Sequence, residues 1–93
     1  MEKEIVWTKV SKADFWNIVT YLKENWPSEV LDKFYKRLQL KIKLLQSHPN
    51  IGVKSSSHSK FRKTLISKHY SIIYSVAKKH IVIHRLKHAA QKK

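Results

Sequence analysis

The sequence predicts an α+β domain in which two helices pack on one face of a four-stranded sheet. Three observations lead there. The chain opens with a run rich in β-branched and aromatic residues, continues through two stretches with helical apolar spacing, and closes with three short strand-like runs separated by polar triplets. At 93 residues there is room for one core, so residues 1–93 form a single domain.

Residues 5–10 read as the first strand, because Ile5, Val6, Trp7, Thr8 and Val10 suit a pleated, half-buried surface. A helix start follows, with Ser11 as its cap, Asp14 in capping-box position, and Val10 and Phe15 placed to form a hydrophobic staple. Phe15, Ile18, Val19, Leu22 and Trp26 then form one apolar face. Pro27 breaks that helix and begins the next, where its missing N–H costs nothing. Glu29 and Asp32 near this second start favour the helix dipole.

The second helix is expected to run to about Gln46, with Leu31, Phe34, Tyr35, Leu38, Ile42 and Leu45 facing the core. Leu40 and Leu44 fall nearly opposite, among Lys33, Lys36, Arg37 and Lys43. That is more apolar surface than a half-exposed helix needs. Coverage by the first helix is the expectation, with a partner protein as the alternative. Residues 47–59 form a polar loop, and strands are expected at 61–66, 70–76 and 80–86. The middle one alternates, with Tyr70, Ile72, Tyr74 and Val76 on one face, and the short connections make an antiparallel meander.

Charge is strongly segregated. The chain carries 20 Lys and Arg against 6 Asp and Glu, a formal +14. Every acid lies at or before Asp32, and every histidine lies after it. A surface of this kind repels itself and favours an anionic partner, either nucleic acid or an acidic protein segment. There is no cysteine, which excludes disulfides and zinc ribbons and fits a reducing compartment. No run approaches a membrane-spanning length and the N-terminus is unlike a signal peptide, so a cytoplasmic protein without membrane association is expected. Gly52 is the only glycine, so no glycine-rich phosphate loop exists. No cofactor and no metal are expected: His80 and His84 would stand roughly 13 Å apart on one strand face, too far to share an ion.

Several residues in this order resemble the RelE/ParE superfamily of toxins from type II toxin–antitoxin systems, over nearly the whole chain. They are Ile5, Val6 and Trp7; the stretch 14–22; Leu45; Pro49 with Gly52; Phe61, Arg62 and Lys63; Tyr70, Ile72, Tyr74 and Val76; and Ile81, Ile83, Arg85 and His88. The resemblance implies a mainly antiparallel sheet and a cognate acidic antitoxin that wraps and neutralises the toxin. It also implies one of two activities, ParE-like inhibition of DNA gyrase or RelE-like, ribosome-dependent cleavage of messenger RNA without a metal. Two departures from the nuclease pattern bring the chain closer to the ParE branch. Tyr70 is followed by Ser71 where nuclease members often carry a basic residue, and residues 86–91 contain no tyrosine.

If the chain is a nuclease, the candidates are Arg62, Lys63 and Arg85 as cations around a phosphate, with His84 or His88 as proton carriers. Arg62 and Lys63, as strand neighbours, point to opposite faces. The plainer reading makes all of these solvated edge and tail residues, and without the tyrosine that reading leads for catalysis. For partner binding, the candidates are Arg62, Arg85, Leu40 and Leu44. Trp7, Phe15, Trp16 and Trp26 are expected to be core and hairpin packing instead of a base-stacking platform. A third possibility, a non-toxic basic module that binds nucleic acid, is motivated by charge alone.

Overall fold

The computed structural model describes residues 2–88. Strand β1 (Glu4–Trp7) leads into helices α1 (Lys9–Asn25) and α2 (Ser28–Ser47), then a single 3-10 turn (Pro49–Ile51). Strands β2 (Val53–Lys54), β3 (Phe61–Leu65), β4 (Tyr70–Val76) and β5 (His80–His88) follow. They form one five-stranded sheet in the order β1-β5-β4-β3-β2. Neighbours are antiparallel except β1, which runs parallel to β5 from Glu4 beside His80 to Trp7 beside Ile83. The helical hairpin is therefore the front part of the crossover that parallel pairing demands.

The sheet has one strand more than expected. The addition is β2, whose Val53 and Lys54 pair with Lys63 and Arg62. A two-residue strand is too short to show any alternation in sequence. The meander matches expectation within a residue or two at its ends. A register shift between Ile73 and Tyr74 opens a bulge in the β4–β5 pairing, after Ile83 on β5.

The first helix is capped three residues earlier than expected. Thr8, not Ser11, is the N-cap: its backbone is extended and its hydroxyl accepts from the Ser11 N–H at 3.0 Å. Ser11 lies inside the helix, fully buried, and donates to the Thr8 carbonyl. Thr8 is also the residue at which strand pairing stops, since its N–H still reaches the Ile83 carbonyl. One residue thus ends β1 and starts α1.

Between hairpin and sheet lies the core. Ile18 and Leu22 come from α1, Phe34, Leu38 and Leu45 from α2, and Ile72, Tyr74, Ile81 and Ile83 from the central strands. Trp7 and Phe15 pack edge to face at its margin, only partly buried. Three aromatics expected to pack inside do not. Trp16, Trp26 and Tyr35 are 63%, 52% and 48% exposed: Trp16 lies off the Ile18 and Leu22 face, and Trp26 follows α1 as its extended C-cap.

Beyond Trp7, β1 no longer accompanies β5, and α1 takes over its hydrogen bonding. Asp14 accepts from the Leu86 N–H at 3.0 Å and from the Arg85 guanidinium at 2.8 and 3.2 Å, while the Thr8 hydroxyl lies 3.2 Å from the Ile83 carbonyl. Burial pushes the Asp14 carboxyl up, but Arg85 and the Leu86 N–H, aided by the charge of Lys87, outweigh it and hold the group below its ordinary value.

Two outcomes follow from this packing. Leu38 is 2% exposed, so Leu38→Ala should cost about 2–5 kcal/mol in a reversible denaturant titration. Asp14→Asn should cost about 1–3 kcal/mol near neutral pH by weakening the hold on Arg85 and Leu86. A folded-state value below the unfolded one adds stability above the unfolded value and loses it as pH falls through the folded one. The gap between wild type and Asp14→Asn should therefore narrow below about pH 4.

Candidate functional site

Arg62 lies on the hairpin-facing side of β3, opposite Tyr74, and its guanidinium donates to the carbonyls of Asn50 at 3.1 Å and Gly52 at 2.7 Å. The Tyr74 hydroxyl donates to the Pro49 carbonyl at 2.7 Å and accepts from the Gly52 N–H at 2.8 Å. Burial holds the Tyr74 phenol above its ordinary value, so it is a neutral donor here. Gly52 is buried against it, and a Cβ there would stand 2.5 Å from the Tyr74 oxygen. Only glycine lets the backbone approach that closely. Pro49, Gly52, Arg62 and Tyr74 are thus one latch closing the end of α2 onto the sheet.

Lys63 is opposite Ile73 on the other face and exposed, so the two basic neighbours do point apart. Arg85 is registered with Ile73, next to Tyr74 on β4, and is engaged by Asp14. His88 lies opposite Tyr70, its ring 5.2 Å from the phenol ring. Arg62 and Arg85 accordingly belong to opposite faces of the sheet, and neither stands beside His88 in a common cleft. Ser71 is fully buried and its hydroxyl has no protein partner among the described residues. That position does not present a cation to a substrate. Residues 89–91, which belong to the segment where a nuclease would carry its tyrosine, lie outside the described residues.

The open face of the sheet carries a small cluster that spacing did not reveal. His84 Nε2 is 2.7 Å from the Ser75 hydroxyl, and its ring lies 4.9 Å from that of Phe61, which also meets His58. Burial, with the charge of Lys60, holds His84 below its ordinary value and therefore neutral near pH 7. Among the described residues, no group of three or more His, Asp or Glu is placed to hold a metal ion.

The hairpin also carries an unfilled apolar surface. Leu40 and Leu44 are 69% and 41% exposed, so α1 does not provide the cover expected for them. With Trp16 and Tyr35, Leu40 flanks a groove of about 960 Å³ that reaches Trp7 and is edged by Lys12, Lys36 and Lys43; Leu44 is exposed one turn further along α2. Leu40 and Leu44 were legible in sequence as surplus apolar residues. Trp16 was not, although its place off the Ile18 and Leu22 face was the available signal.

Among the described residues, no helix is long and apolar enough to cross a membrane. No curated protein matches the sequence significantly. Solved structures do share the fold. A chain of the chromosomal ParDE system from P. aeruginosa superposes with a TM-score of 0.75 at 22% identity, covering 94% of this chain and 96% of that one. The YoeB dimer from Staphylococcus aureus gives 0.65 at 16%, covering 95% and 98%, and the E. coli DinJ–YafQ complex gives 0.63 at 13%, covering 97% and 96%. Residues 5–93 match the family model described as ParE toxin of type II toxin-antitoxin system, parDE. With that match spanning nearly the entire sequence, the chain belongs to the ParE toxin family, within the RelE/ParE superfamily.

Proposed function

We propose that this ParE-type toxin arrests growth by binding DNA gyrase, and that its cognate antitoxin neutralises it by covering the groove beside Leu40 and Leu44. The family match over residues 5–93 carries the reading. The engagement of the arginines supports binding over cleavage. RNA cleavage through a 2′-hydroxyl needs cations free to meet the phosphate and a proton carrier beside them. Here Arg62 is tied to backbone carbonyls and Arg85 to Asp14, on opposite faces.

Both arginines donate internally, so we place the antitoxin on the groove at Leu40, with Lys12, Lys36 and Lys43 around it, and on the exposed Leu44 one turn further along α2. An acidic, amphipathic antitoxin segment fits both the apolar floor and the basic rim. Charge then speeds encounter while buried apolar contacts hold the complex.

Expression should stop DNA synthesis before protein synthesis, and co-expression of the adjacent antitoxin frame should restore growth. A purified translation system given the toxin should show no message cleavage; cleavage that disappears in His88→Ala would replace this reading with the nuclease one. In a binding assay with the antitoxin, Leu40→Ala with Leu44→Ala should raise Kd at least about tenfold through faster dissociation. Added salt should act mainly on association, since surface attraction is screened over about 8 Å at physiological ionic strength. Unchanged dissociation in the double variant would move the antitoxin site elsewhere.

A further inference from the structure

A second cavity, of about 640 Å³, lies on the opposite flank of α2, between the hairpin and the β3–β4 connection. Its floor is Phe34 against Tyr70, ring centres 5.2 Å apart and both side chains buried. At its mouth stand Tyr21 and Trp26, 49% and 52% exposed. Lys33, Arg37 and Lys68 are in its wall, together with two histidines, and no acid lines it. Trp, Tyr and Arg are the residue types that most often dominate binding energy at protein interfaces. An aromatic slot left half open inside a ring of cations is therefore unlike a merely solvated surface.

We propose that this cavity is a second docking site, taking an acidic protein segment that inserts one bulky apolar side chain between Tyr21 and Trp26. Carboxylates on either side of that residue meet Lys33, Arg37 and Lys68. Size supports a side chain with adjoining backbone as the occupant. The absence of any acid in the lining supports a partner bearing negative charge. A nucleic-acid strand would satisfy the cations, but a slot closed below by Phe34 and Tyr70 suits one inserted apolar group better than a run of stacked bases. The site shares no lining residue with the first groove, so it does not rest on the antitoxin reading.

The test uses the full chain and follows the Trp26 indole N–H signal in NMR titrations. The probe is a short peptide of Asp and Glu residues around one central leucine. Saturable binding that moves the Trp26 signal and leaves the Trp16 signal in place is expected. Replacing the leucine by serine should weaken binding about tenfold, as should Arg37→Glu. Lys43→Glu makes the same charge change in the first groove and should leave the affinity within about twofold. Equal binding of the serine peptide, equal losses in Arg37→Glu and Lys43→Glu, or no saturable shift of Trp26 would overturn the proposal. So would a single-stranded oligonucleotide of matched charge that moves Trp26 at lower concentration than the peptide.

Discussion

The carboxylate of Asp14 fixes where the helical hairpin sits, and the exposed surfaces of this toxin follow from that placement. It is the acid that ties a helix to the sheet, accepting from Leu86 and Arg85 where β1 has stopped and β5 runs on. Without an acceptor there, the Leu86 N–H would face the flank of α1 unsatisfied, at a cost comparable to a lost hydrogen bond. Once α1 is fixed along β5, α2 must cover the middle of the sheet, and Leu38 and Leu45 join Tyr74 and Ile83 in the core. Each flank of α2 is then left with a depression that none of the described residues fills.

At its other end α2 is closed by the latch around Tyr74. A 3-10 turn after Ser47 directs carbonyls at Pro49, Asn50 and Gly52 toward the sheet, and Tyr74 with Arg62 meets them. Residues spread over the separate runs of the family resemblance thus meet in one hydrogen-bonded unit. The need for glycine at Gly52 is set by its distance to a tyrosine and owes nothing to an unusual backbone angle, since its φ is −73°.

What the sequence made legible was whatever follows a period. The apolar repeats through Ile18, Leu22, Phe34, Leu38 and Leu45 and the alternation from Tyr70 to Val76 located the helices, the strands and most of the core. What it hid depends on partners far along the chain. The choice of Thr8 over Ser11 as the cap turns on β1 ending beside Ile83, and the parallel pairing of β1 has no local mark. Trp26 and Tyr35 fall within the apolar stripes and so pass for core, and only the folded structure shows that they are open. For the candidate sites, Leu40 and Leu44 were visible as a surplus of apolar residues. The engagement of Arg62 was not, because its acceptors are backbone carbonyls, which leave no trace in residue identity.

Charge and packing finally point the same way about how this fold is used. A chain of +14 whose acids all lie at or before Asp32 carries a self-repulsion that its own side chains relieve at few places, chiefly at Asp14. The relief that remains available is external, and the two depressions beside α2 combine cations with uncovered Leu, Trp and Tyr side chains. Covering them removes apolar surface from water and lowers the repulsion among lysines at once. Those gains are coupled only for a partner that is acidic and amphipathic together, which a polyanion lacking apolar side chains is not. The same coupling makes the folded toxin more stable bound than free, since a ligand that binds only the native state adds to its stability by mass action.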